Sequence, residues 1–110
     1  MANSLKIIEE IRGLRDNWDG DSALAPYPGV IEAAKEMINF TTDAGHEASN
    51  IAPGPAGEIM LDFRCREKML EIIIYPDKIK FVQFSSSEQP VQGLVSPDLS
   101  IEKLLGWLGE

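Results

Sequence analysis

The chain has 110 residues and a formal net charge of −8, from 10 lysines and arginines against 18 aspartates and glutamates. Hydrophobic residues make up 44% of the sequence, which is ordinary for a soluble protein, so we expect residues 1–110 to form one domain around one core. Because an acidic surface repels phosphate backbones and anionic lipids, we expect neither nucleic acid nor a membrane as a partner.

Cysteine content and the N-terminus bear on the compartment. Cys65 is the single cysteine, so an intramolecular disulfide is excluded and a reducing compartment is favoured. The N-terminus has no apolar run followed by a small-residue cleavage site, and no segment approaches the roughly 18 apolar residues of a membrane helix. These features predict a cytoplasmic protein.

A first helix is predicted from apolar residues at helical spacing, starting at a cap on Asn3 or Ser4. The turn Asn17-Trp18-Asp19-Gly20 should end it, because Asn and Gly tolerate positive φ and Asp can accept hydrogen bonds from the backbone that follows. We expect Trp18 to lie between this helix and the next. The apolar residues are Leu5, Ile7, Ile8, Ile11, Leu14 and Trp18.

A second helix is predicted from Pro28 or Gly29 to about Thr41, since proline suits the first position of a helix. The two helices would form a hairpin. The stretch from Asp43 to Gly57 is rich in Gly, Ala, Ser and Pro and predicts a connection without regular structure. The residues expected on the buried side of the second helix are Val30, Ala33, Ala34, Met37, Ile38 and Thr41.

Three short strands are predicted in succession between Glu58 and Phe84, and they form an antiparallel meander. With Arg66 and Glu67 at the tip of the first hairpin, Leu61 lies opposite Ile72. One face of the sheet is then almost wholly apolar, which is what packing under helices requires. This apolar face consists of Ile59, Leu61, Phe63, Cys65, Leu70, Ile72, Ile74, Ile79 and Phe81.

The C-terminal part predicts a short edge strand from Val91 to Val95 and a final helix that starts at Ser96-Pro97-Asp98. Leu99, Leu104 and neighbouring apolar residues should dock this helix on the domain. The predicted fold is therefore α+β, with a helical hairpin, an antiparallel meander of three to four strands and a C-terminal helix.

The turn Trp18-Asp19-Gly20, followed by Ala23 and Pro26, resembles a family of small bacterial proteins of uncharacterised function. In that family a Trp-Asp-Gly turn after a first helix is followed by a second helix, a proline-containing linker and strands similar to 57–63 and 70–74. The resemblance covers about residues 11–84. It implies the same architecture and a bacterial or phage origin, and it brings no established activity and no catalytic residue.

Calcium is one alternative for this turn, because Asn17, Asp19 and Asp21 alternate as oxygen ligands do in a calcium loop. Alignment on the glycine of such a loop, however, places Arg15 and Pro26 at ligand positions. A purely structural turn is therefore the favoured interpretation, and no metal site is predicted.

Two further residues could carry chemistry. His46 has no second histidine in the chain to work with, and it is interpreted as a solvated loop residue. Cys65 belongs to the apolar face, where a small hydrophobic side chain is the ordinary role of cysteine. No catalytic residue and no cofactor is predicted.

Asp62 and Glu71 are expected to lie directly opposite one another in the meander. Like charges in that arrangement are destabilising, by up to about 1 kcal/mol. One interpretation makes them an acid/base pair with a raised pKa on one member. The other interpretation, which we favour, lets Arg64 and Lys80 neutralise them in solvent.

The second face of the sheet, here called the mixed face, is about half apolar although a solvated face should be polar. Something is expected to cover it: the C-terminal helix, a second copy of the chain or another protein. The mixed face consists of Met60, Asp62, Arg64, Met69, Glu71, Ile73, Tyr75, Lys80, Val82 and Phe84.

The function predicted from these features is that of a non-enzymatic interaction module that uses the mixed face. An immunity or inhibitor protein that is steered by its charge to a basic toxin or nuclease would fit this class. The alternative is a small-molecule binder or minor enzyme that uses Asp62 and Glu71, with Tyr75 and Arg64 as orienting groups. A concave pocket around the carboxylates would favour the alternative.

Overall fold

The computed structural model describes residues 4–110, so the predicted cap at Asn3 lies outside the described residues. The helices are α1 (Ser4–Arg12), α2 (Pro28–Asp43) and α3 (Ile101–Gly109). The strands are β1 (Asn50–Pro53), β2 (Ile59–Cys65), β3 (Lys68–Ile74), β4 (Ile79–Ser85) and β5 (Glu88–Leu94). They form one antiparallel sheet in the order β1-β2-β3-β4-β5. The α+β class is confirmed, and the sheet has five strands rather than three or four.

The predicted register of the meander is confirmed. Leu61 pairs with Ile72 and Asp62 with Glu71, and the hairpin turns at Arg66, whose φ of 59° lies in the left-handed region. Because side chains alternate along a strand, this single register decides which residues face the helices. The apolar face is accordingly buried, with Leu61 and Ile72 both 0% exposed, and only Cys65 and Ile79 among its residues are partly buried.

The strand β1 was missed, because the segment from Asp43 to Gly57 was predicted to be irregular. Four residues ending in Pro53 are too short to show an alternating pattern, and Ile51 is the one buried side chain among them. The predicted edge strand is confirmed as β5, and it runs from Glu88 to Leu94 rather than from Val91 to Val95.

The first helix ends at Arg12, well before the predicted stop at residues 17–20. Gly13 follows it, and glycine is unfavourable in a helix interior because of its backbone entropy. Ile8 and Ile11 are buried as expected, whereas Leu5 is 38% exposed. Leu14 still packs on the core, from the loop rather than from the helix.

The second helix is confirmed from Pro28, and it packs against α1. Trp18 does not lie between the two helices as predicted. It is half-buried outside the hydrophobic core, and its indole Nε1 donates to the carbonyl oxygen of Leu24 at 2.8 Å. Ion pairs of Arg12 with Glu32 and of Lys35 with Glu9 link the helices on their outer side.

The C-terminal helix covers the apolar face and not the mixed face. It begins at Ile101, later than predicted, after Ser100, whose hydroxyl accepts a hydrogen bond from the backbone of Lys103. Leu104 and Leu108 are buried in the same hydrophobic cluster as the other two helices and the apolar face. None of the helices within residues 4–110 is long and apolar enough to cross a membrane.

Replacement of Leu104 by alanine tests this placement. The side chain is 0% exposed, so we expect the free energy of unfolding to fall by about 2–5 kcal/mol in urea denaturation. Leu94→Ala is the matched control, because Leu94 is 55% exposed and its loss should change stability by less than about 0.5 kcal/mol. Equal effects of the two substitutions would contradict the placement of α3.

Candidate interaction surface

The mixed face remains uncovered by α1, α2 and α3. These helices contribute their buried hydrophobic side chains to the cluster that contains Leu61 and Ile72, and no hydrophobic residue of the mixed face belongs to that cluster or packs against it. Arg64 is exposed, and the other residues of the mixed face are partly buried by their neighbours in the sheet. Of the three coverings expected for this face, the C-terminal helix is therefore excluded by the position of α3.

The edge strands extend this surface beyond the residues predicted from sequence. Leu94 of β5 pairs with Lys80, and Ala52 of β1 pairs with Met60, so both lie on the same side as the mixed face. Leu94 adds an exposed apolar side chain at one margin. Neither β5 nor β1 has an alternating pattern of apolar and polar residues that could have predicted these two positions.

The centre of the mixed face holds the two carboxylates. Asp62 and Glu71 are direct partners across β2 and β3. Atom Oδ1 of Asp62 is buried, and while Glu71 is ionised it accepts no hydrogen bond from a described residue. The other oxygen, Oδ2, accepts a long and therefore weak hydrogen bond from Nδ2 of Asn50 at 3.5 Å. Burial raises the pKa of Glu71, and the charge of Asp62 and a hydrogen bond to it raise that pKa further.

The predicted neutralisation by Arg64 and Lys80 is not found. In the part of the chain that the structure describes, no ion pair joins either cation to Asp62 or Glu71. Arg64 pairs with Met69 and Lys80 pairs with Ile73, so both lie diagonally from Glu71 in the sheet. Diagonal neighbours in a sheet are about 7–8 Å apart. Arg64 is exposed and Lys80 is partly buried, and neither cation forms an ion pair with a carboxylate of the pair.

Four clefts of the described residues lie away from the mixed face. Their volumes are about 270 to 390 Å³, and none of the four is lined by a mixed-face residue. One of them, lined by Met37, Phe40 and Ile101, lies between α2 and α3. The carboxylate pair is thus part of a surface and does not lie in one of these clefts.

The turn at residues 17–20 is held by its own side chains. The carboxylate Oδ1 of Asp19 accepts the backbone N–H groups of Asp21 at 2.8 Å and Ala23 at 3.0 Å, and these bonds lower the pKa of Asp19. Asn17 accepts the N–H of Ser22 at 2.8 Å. These oxygens hold the backbone, which supports the structural interpretation, and positive φ at Asn17 and Gly20 completes the turn.

The remaining candidate residues have structural surroundings. His46 is half-buried, and its backbone N–H donates to the carbonyl of Thr41 at 2.8 Å. Cys65 is a free thiol that packs, partly buried, against the core. Among residues 4–110 no three His, Cys, Asp or Glu side chains converge where a metal ion could bind.

Comparison of the chain with protein-family models, with curated proteins and with solved structures finds no match. The resemblance carried by Trp18-Asp19-Gly20 and the bacterial origin that it implies therefore stay predictions.

Replacement of Glu71 by glutamine tests the electrostatics of the carboxylate pair. A raised pKa in the folded protein means that stability is present at low pH and is lost as the pH rises through that pKa. We therefore expect Glu71→Gln to be more stable than the parent near pH 7, by up to about 1 kcal/mol, and to lose this advantage at about pH 4.

Urea denaturation of both proteins across this pH range measures the difference. Glu88→Gln is the control, because Glu88 is an exposed carboxylate on the same sheet and its replacement should have little effect at either pH. A glutamine variant less stable than the parent near neutral pH would show that the ionised pair is favourable, contrary to the geometry.

Proposed function

We propose that this protein is a non-enzymatic interaction module that binds another protein through the mixed face. The observation that carries the proposal is the uncovered, half-apolar side of the sheet opposite α1, α2 and α3. Soluble proteins rarely expose a contiguous apolar surface without a binding role. Met60 and Met69 suit such a role, because their flexible side chains adapt to irregular partner surfaces.

The net charge of −8 indicates the kind of partner. An acidic chain is drawn to a basic protein, and complementary charge raises the rate of association. An immunity or inhibitor protein that acts on a basic toxin or nuclease is the member of this class that fits the charge. Two copies of this chain repel each other at long range, which makes a homodimer the weaker proposal.

A small-molecule binder or enzyme that uses Asp62 and Glu71 receives less support. Ligand sites usually enclose most of the ligand surface in a concave cavity. None of the four clefts described on residues 4–110 is lined by either carboxylate. Tyr75, expected to orient a substrate, has the ammonium of Lys78 5.1 Å from its ring centroid.

An aspartate at position 73 tests whether the mixed face is free. Ile73 is partly buried and is paired with Lys80, so Ile73→Asp places a carboxylate opposite a cation but beside Glu71 on the same strand. These effects oppose each other, and we expect a stability loss of about 1 kcal/mol. Ile72→Asp is the matched control on the apolar face. It should unfold the domain, because an unpaired carboxylate would be buried in the core.

Light scattering at several concentrations completes this test, and we expect a monomer for both the parent and Ile73→Asp. Unfolding of Ile73→Asp would place Ile73 in the core and contradict a free interaction face. A dimer that the same substitution converts to a folded monomer would assign the mixed face to self-association rather than to another protein.

A further inference from the structure

The charge at the centre of the mixed face is unbalanced within the described chain. While Glu71 is ionised, one buried carboxylate oxygen of Asp62 has no hydrogen-bond donor among residues 4–110, and no ion pair joins Glu71 to a cation of these residues. Arg64 and Lys80 lie on the same face and leave the pair unneutralised. A carboxylate oxygen that has lost water and gained no donor is costly, so this geometry favours a donor from outside the chain.

The surroundings of the pair are apolar. Met69 and Ile73 flank Glu71 along β3, Val82 is its partner on β4, and Met60 precedes Asp62 on the same face of β2. When a partner covers these side chains, water is excluded from the carboxylates. A charged hydrogen bond is stronger where water is excluded than it is in water. Contacts that are shielded from water in this way are found at the energetic centres of protein interfaces.

Building on the proposed function, we infer that the partner protein inserts an arginine side chain at the Asp62–Glu71 pair, with apolar side chains around it. Arginine fits better than lysine, because its planar guanidinium offers five donors in a fixed fork and is less costly to dehydrate. Two carboxylates side by side can accept several of these donors. The negative net charge of the chain attracts a basic partner to the protein, and the carboxylate pair then fixes the position of that partner on the mixed face.

The test uses random peptides that are displayed on phage and selected on the full chain at low ionic strength. Peptides that also bind Ile73→Ser, which removes an apolar contact without adding a charge, are discarded. We expect the selected peptides to contain an arginine next to apolar residues. Their affinity should fall at least about tenfold for the double variant Asp62→Asn/Glu71→Gln and stay unchanged for Glu88→Gln.

A double-mutant cycle then identifies the contact. Arginine-to-alanine replacement in a selected peptide should weaken binding to the parent chain at least about tenfold and should have little effect on binding to the double variant. Arginine-to-lysine replacement should weaken binding less than alanine does. Additive losses would show that the arginine and the carboxylates do not touch, and would overturn the inference.

The outcomes separate this inference from the proposed function. Peptides that require Ile73 but bind the double variant equally well would overturn the arginine contact and leave the interaction face standing. If no selected peptide depends on Ile73, both proposals fail. A dimer of the parent chain that is lost in Arg64→Ala and in the double variant would identify a second copy as the source of the cation, which also overturns the inference.

Discussion

Each side chain of a strand points to one face of its sheet or to the other. In the described residues, α1, α2 and α3 all pack on the apolar face. Every other feature depends on that constraint. The register that buries Leu61 and Phe63 under the helices necessarily turns Met60 and Asp62 outward. A shift of the strand register by one residue would exchange the buried and the outward side chains, so a single register determines both the core and the mixed face.

The composition of the mixed face distinguishes this protein from an ordinary domain that has helices on one side of a sheet. A free sheet face needs only polar side chains, yet this one holds methionines, Ile73 and Val82 around a pair of carboxylates. Those carboxylates repel each other, and no ion pair within residues 4–110 compensates them. A surface that lowers the stability of the free protein is explained if binding of a partner compensates for that loss.

Sequence patterns predicted the meander and its register, because the alternation in β2 and β3 is long and the turn at Arg66 is short. The pairing of Asp62 with Glu71 followed from that register. Three features were not predictable in the same way. The strand β1 is too short to show a period, Gly13 ends α1 within a continuing apolar stripe, and the placement of α3 depends on tertiary packing that its own periodicity does not encode.

Nuclear Overhauser contacts of the methyl groups of Leu104 and Leu108 test most directly which face of the sheet is free. With α3 on the apolar face, these methyl groups should show contacts to core side chains such as Leu70 and Ile72, and none to Met69 or Ile73. The reverse pattern would place the C-terminal helix over the carboxylate pair. It would also remove the uncovered surface from which the proposed interaction follows.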